Sequence, residues 1–212
     1  MKKPLEERSY AFDVRAEETE QGAIITGRPI VYNSQTDIGY FDEVIESGAL
    51  NSTDLTDVRF LVNHDMSRIP LARSRRNNGN STMQLEVNEY GMDIRVNLDI
   101  ENNAEARALY SAVRRGDVSG MSFKFSIERE AWENLESEHP LRRIQEIGSV
   151  IEVSAVTFPA YKATEINARS EEALESARLA LENARAQSTK SVETDQKQLE
   201  LAKAKYNFKS IF

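Results

Sequence analysis

Met121-Ser-Phe-Lys-Phe-Ser-Ile127 alternates apolar and polar residues without a break. Successive side chains of a strand point to opposite faces, so Met121, Phe123, Phe125 and Ile127 anchor one face in a core while Ser122 stands on the other. This stretch decides the fold because the same period of two recurs on both sides of it. Downstream, Ser149-Val-Ile-Glu-Val-Ser-Ala-Val-Thr-Phe158 is a second, more apolar strand. Upstream, Thr82-Met-Gln-Leu-Glu-Val87 and Met92-Asp-Ile-Arg-Val-Asn-Leu98 flank Asn88-Glu-Tyr-Gly91, which predicts a hairpin with a glycine-containing turn. Val58-Arg-Phe-Leu-Val62, Ala23-Ile-Ile-Thr-Gly-Arg-Pro-Ile-Val-Tyr32 and Tyr10-Ala-Phe-Asp-Val14 complete the series. Pro29 marks an edge or a bulge, since proline has no N–H to give to a ladder.

One helix is predicted among the strands, over Asn103 to Arg115. Asn102 with Glu105 resembles a capping box, Leu109 and Val113 share a face, and Gly116 is the stop. Short strands with one or two helices predict a mainly β chain with some α, folded as a closed or nearly closed β-barrel with flanking helices. Composition shifts near Ala168, which divides the chain into a barrel domain, 1–168, and a helical or flexible C-terminal tail, 169–212. In the tail, Ser170 to Gln187 is rich in helix formers, with Leu174, Ala177, Leu181 and Ala184 on one stripe. A polar, unpatterned stretch follows, then a short helix from Gln198 to Lys205. So little apolar surface does not fold alone: the tail is a docking segment, an oligomer contact, a removable extension, or a solvated helix with a frayed end.

The 212 residues carry 35 acidic and 27 basic side chains, a net charge of −8, and no cysteine. The last point excludes a disulfide framework, a thiolate zinc site and a cysteine nucleophile. The charged start, Met-Lys-Lys-Pro-Leu-Glu-Glu-Arg, and the lack of any long apolar run predict neither a secretory leader nor a membrane span, and place the chain in a cytoplasm. An acidic chain without a basic block also lacks the footprint of a nucleic-acid binder.

Chemistry must therefore come from oxygen or imidazole. Of the two histidines, His64 follows the strand Val58 to Val62, where a rigid element can aim the ring, whereas His139 lies in a charged connection between Glu138 and Pro140. An imidazole of ordinary pKa near 6.5 makes a useful base only when so aimed. Ser122 is held opposite an apolar face, beside Gly120, and a serine hydroxyl needs a neighbouring base before it becomes a nucleophile. The plain alternative is a strand serine facing water. Glu152 interrupts an apolar strand, and a carboxylate there needs a partner. An imidazole N–H suits it, as in a Ser-His-acid arrangement. A salt bridge to Arg142 or Arg143 would also serve, and Asp65 is a competing acid for His64.

Five fragments carry a resemblance: Gly27-Arg-Pro-Ile-Val-Tyr-Asn33, Glu46-Ser-Gly-Ala-Leu50, Phe60-Leu-Val-Asn-His-Asp65, Ser119-Gly-Met-Ser-Phe123 and Ile151-Glu-Val-Ser-Ala-Val-Thr-Phe-Pro-Ala-Tyr161. They occur in the order seen in the prohead (capsid maturation) serine proteases of tailed bacteriophages, over roughly Ala11 to Ala168. That family is distantly similar to the herpesvirus assemblins. The resemblance implies an assemblin-like barrel, Ser122 as nucleophile and His64 as its base. Assemblins use a second histidine as third member, so Glu152 departs from them. Their paired arginines after the nucleophile make Arg142 and Arg143 the candidates for oxyanion or structural support. The implied function is a serine endopeptidase that cleaves scaffold and major capsid protein, and itself beyond Ala168, inside assembling proheads in the host cytoplasm. A homodimer is implied too, with no cofactor and no metal. The rival reading is a noncatalytic scaffolding or capsid-assembly protein on the same barrel. A metal hydrolase is more distant, since two isolated histidines give no ligand spacing.

Overall fold

A computed structural model of the chain describes residues 4–10, 14–19, 22–76, 79–157 and 171–209. Its strands are β1 (Leu5–Tyr10), β2 (Arg15–Thr19), β3 (Gly22–Val31), β4 (Thr36–Asp37), β5 (Asp42–Ile45), β6 (Asp57–Val62), β7 (Ala72–Arg75), β8 (Met83–Asn88), β9 (Gly91–Leu98), β10 (Gly120–Glu133) and β11 (Leu141–Val156). Two helices accompany them, α1 (Ala104–Arg115) and α2 (Glu171–Lys209). The chain is mainly β with few helices, as the period-two alternation predicts.

The strands form two sheets. In the first, β1 and β11 flank β10 antiparallel. The first residues of β11 pair in parallel with β5 and its last residues in parallel with β6. One long strand thus reaches two neighbours, with β4 and β7 on their outer sides. The second sheet is antiparallel, in the order β2-β3-β9-β8. Phe60, Phe123, Phe125 and Val153 of the first sheet meet Ile25, Met92, Ile94 and Val96 of the second in one core, which α1 closes with Ala106, Leu109, Tyr110 and Val113.

The closed barrel is thus not drawn by backbone pairing: among the described residues no ladder joins the two sheets. At the seam between β7 and β8, side-chain hydroxyls take the ladder's place. Arg73 N donates to Thr82 Oγ1 at 2.9 Å and Arg75 N to Ser81 Oγ at 3.0 Å.

Several expected elements shift. The strand expected over Tyr10–Val14 falls partly on residues outside those described, and strands occupy both flanks instead. Pro29 sits in a register break between Gly27 and Ile30 of β3, the bulge its missing N–H calls for. The N-cap of α1 is Asn103, which accepts from Glu105 N and Ala106 N, while Asn102 bonds Asp99. The helix ends at Gly116 in the left-handed region, as expected. Beyond 170, α2 is one continuous helix, not two with a polar break. Ala177 and Leu181 of its predicted stripe are buried against Ile38, Phe41, Trp132 and Leu135, whereas Leu174 and Ala184 are half-buried.

Candidate active site

β10 and β11 place Ser122 opposite Ser154, and Lys124 opposite Glu152. Residues two apart share a face, so all four stand on the face away from Met121, Phe123 and Val153. On the other flank of β10, Ser9 of β1 lies opposite Ser122 and Glu7 opposite Lys124.

His64 is carried over that face by a turn at the end of β6. Asn63 and His64 both have left-handed backbone, φ 49° and 59°. Side-chain-bearing residues adopt that region only under constraint, and the constraint is visible. Asn63 N donates to Ala155 O at 3.0 Å. The Asn63 amide also bonds Thr157 through both Oγ1 and N. His64 N donates to Ser154 Oγ at 3.1 Å.

The result is a chain of hydrogen bonds. Ser122 Oγ is 2.5 Å from His64 Nε2, and His64 Nδ1 bonds Glu152 Oε1. Glu152 Oε2 accepts from Ser154 Oγ at 2.6 Å. Ser122 and Glu152 are fully buried, and the buried carboxylate that the sequence marks as needing a partner has two. Because Ser154 holds both the backbone of His64 and the carboxylate of Glu152, it fixes ring and acid relative to each other.

Two further groups belong to β1. Ser122 Oγ donates to the carbonyl oxygen of Arg8 at 2.8 Å, and Glu7 Oε1 lies 3.2 Å from His64 Nε2. Lys124 Nζ in turn is 3.6 Å from the other oxygen of Glu7.

The remaining candidates lie elsewhere. Arg142, at the opposite end of β11 from Glu152, is buried and gives its guanidinium to Glu6, Glu43 and Glu130. Burial works against its charge, but Glu6 and Glu43 outweigh it and raise its pKa. Arg143 bonds Glu133 and approaches Glu46. Neither arginine is a hydrogen-bond partner of Ser122, His64 or Glu152, and the donors of Arg142 are taken by carboxylates on neighbouring strands. Asp65 accepts from Ser67 within its own loop. His139 approaches Asp42 and Asp37 at the surface, the one grouping among the described residues whose ligand atoms could meet on a cation.

Sequence reasoning missed Glu7, Ser154 and the Arg8 carbonyl. Ser154 carried a signal, being two residues from Glu152 and hence on its face. Glu7 sits in a charged stretch that reads as a solvated terminus, and a backbone carbonyl leaves no trace in sequence.

Hydroxyl, imidazole and carboxylate in series form the arrangement by which serine hydrolases activate a hydroxyl. Comparison with known proteins agrees with that class. The family model described as caudovirus prohead serine protease matches residues 10–178. The solved structure of the bacteriophage T4 capsid assembly protease, gp21, is similar over 74% of this chain and 99% of that one, at 11% identity and a TM-score of 0.43. No curated protein matches. The chain belongs to the caudovirus prohead serine protease family, and it is a serine protease.

Proposed function

We propose that this protease cleaves scaffold and major capsid protein inside the assembling prohead, with Ser122 as nucleophile, His64 as base and Glu152 as the acid that orients the ring. The unbroken chain Ser122 Oγ, His64 Nε2, His64 Nδ1, Glu152 Oε1 carries the reading. Ser122 Oγ attacks the carbonyl carbon of the substrate and its proton passes to His64 Nε2. The same proton then goes to the leaving amine, and water hydrolyses the acyl-enzyme by the reverse path. Glu152 keeps the Nδ1 hydrogen in place and stabilises the imidazolium. Lacking any contact with these groups, Arg142 and Arg143 take no part in these steps. The assemblin-like barrel enters as part of this reading: the hydroxyl seam between β7 and β8 supports two sheets that act as one wall. Self-cleavage beyond Ala168 removes the tail.

Fluorophosphonate labelling mapped by mass spectrometry tests the assignment. Label is expected on Ser122 and on no residue of His64→Ala. Glu152→Gln is expected to slow peptide cleavage by about 10⁴, the loss seen when the acid of such a triad becomes an amide elsewhere. Proheads assembled with Ser122→Ala should retain full-length scaffold and coat protein. Normal processing in those proheads would instead favour the noncatalytic assembly role.

A further inference from the structure

We infer that Lys124 and Arg59 form a carboxylate-binding site beside Ser122, through which the protease selects peptide segments with an acidic side chain close to the cleaved bond. The inference rests on Ser122 being the nucleophile and adds the substrate class to that reading.

Sheet register puts the two cations in one row. Lys124 of β10 lies opposite Glu152 of β11, and Glu152 in turn lies opposite Arg59 of β6. Val58 and Phe60, which bracket Arg59, belong to the core, so Arg59 points to the other face, the one that carries Ser122. The row of Lys124, Glu152 and Arg59 is thus the next one along from the row of Ser122 and Ser154. Strand geometry places the Cα of Lys124 about 7 Å, and that of Arg59 about 12 Å, from the Cα of Ser122. An extended peptide advances about 3.3 Å per residue, so a side chain that meets these cations belongs to a residue within about four of the cut bond.

Both cations keep donors to give. Arg73, the register neighbour of Arg59 on β7, binds both oxygens of Asp57 through Nε and Nη2. Arg59 comes no nearer to that carboxylate than 3.6 Å, and among the described residues its guanidinium makes no hydrogen bond. Lys124 is in the same state: Nζ stands 3.6 Å from Glu7 Oε2, an ion pair too long for a hydrogen bond. Glu152 lies between the two but gives its oxygens to His64 and Ser154. The side chains of Lys124 and Arg59 are 25% and 34% exposed. They are therefore partly withdrawn from water, which strengthens a charge-assisted bond, yet open to a ligand. A guanidinium takes a carboxylate through two parallel N–H bonds and an ammonium takes it as a point charge. The chain as a whole has a net charge of −8, so this cationic row beside the nucleophile is a local inversion of sign that draws an acidic segment to this face.

Cleavage of a proteome-derived peptide library, with the cut ends read by mass spectrometry, tests the inference alongside fluorophosphonate labelling of Ser122. On one side of the cut bond, within about four residues, Asp and Glu are expected at about threefold or more their library frequency, the scale of a partly exposed ion pair. With Arg59→Gln and Lys124→Gln combined, the enrichment is expected to fall to the library frequency. Each single variant is expected to lose part of it, and stands in should the double variant not fold. If the two residues served only to support Glu152, the variants would cut more slowly with the same sequence preference, and that result overturns the inference. So does a library cut without acidic preference, or one left uncut by protein whose Ser122 is labelled. Absence of label on Ser122 overturns the nucleophile assignment, and this inference with it.

Discussion

Glu6 is a buried carboxylate on β1, the strand that pairs with β10 beside Ser122. Burial alone would raise its pKa, but Arg8 and Arg142 outweigh burial and lower it from 4.5 to about 2. The folded protein therefore releases this proton more readily than the unfolded chain does. Glu6 contributes its full stability above about pH 4.5, and the contribution is lost as pH falls toward about 2. A separation of that size corresponds to on the order of 3 kcal/mol. The urea midpoint of the unaltered chain is expected to drop across that window. Glu6→Gln is expected to be less stable at neutral pH and to show a flatter acid limb, and coincident midpoint curves for the two proteins would refute the account. The candidate site residues were legible to the degree that they broke a pattern. Ser122 stood out against an apolar face, Glu152 inside an apolar strand, and His64 at a strand end. Arg142 and Arg143 offered no such break, because adjacent arginines do not reveal in sequence which carboxylates stand on the neighbouring strands.

At the scale of elements, glycine chemistry sufficed for the end of α1, and alternation sufficed for β6, β8 and β9 and for the halves of β10 and β11 that carry Ser122 and Glu152, but not for their far halves, up to Glu133 and from Leu141. It failed for β1, whose inward positions are charged, because a period of two with Glu and Arg on the buried face looks like solvated chain. It also failed to join α2 into one helix, since the polar stretch after Gln187 has no apolar stripe to mark it and the helix continues through it all the same. The hairpin between β8 and β9 offers the sharpest test. Gly91 has φ 143°, and a Cβ there would lie 1.9 Å from the carbonyl oxygen of Ile30. Gly91 is also where β9 pairs with Val31 at the end of β3. Gly91→Ala must then push β3 and β9 apart as well as hold a strained backbone, a combination expected to cost about 2–3 kcal/mol. Thermal unfolding measures it, and a midpoint unchanged from the parent would show that the turn relaxes without disturbing the ladder.

For the molecule as a whole, the sequence announced strands without saying which edges meet. Parallel pairing of one strand with two partners, β5 at its start and β6 at its end, joins residues far apart in the chain and leaves no local signature. The same holds for how the tail attaches. α2 has 39 residues, about 58 Å at 1.5 Å per residue, and among the described residues its buried side chains, Ala177 and Leu181, lie in its first half. Ala177 and Leu181 pack beside Phe41 and Trp132, whose rings meet edge to face at 4.8 Å. Arg185 adds bonds to the carbonyls of Leu135 and Ser137. Further along, Leu199 and Leu201 are 56% and 61% exposed, and no helix among the described residues is long and apolar enough to cross a membrane. Stability should therefore divide within the helix. Leu181→Ala is expected to lose about 2 kcal/mol, the lower end for a buried leucine because its cluster is small. Deleting residues 190–212 should leave the urea midpoint within about 0.5 kcal/mol of the full chain and leave the rate of Ser122 labelling unchanged. A deletion that destabilises as much as Leu181→Ala would mean that the far half of α2 packs on the body after all.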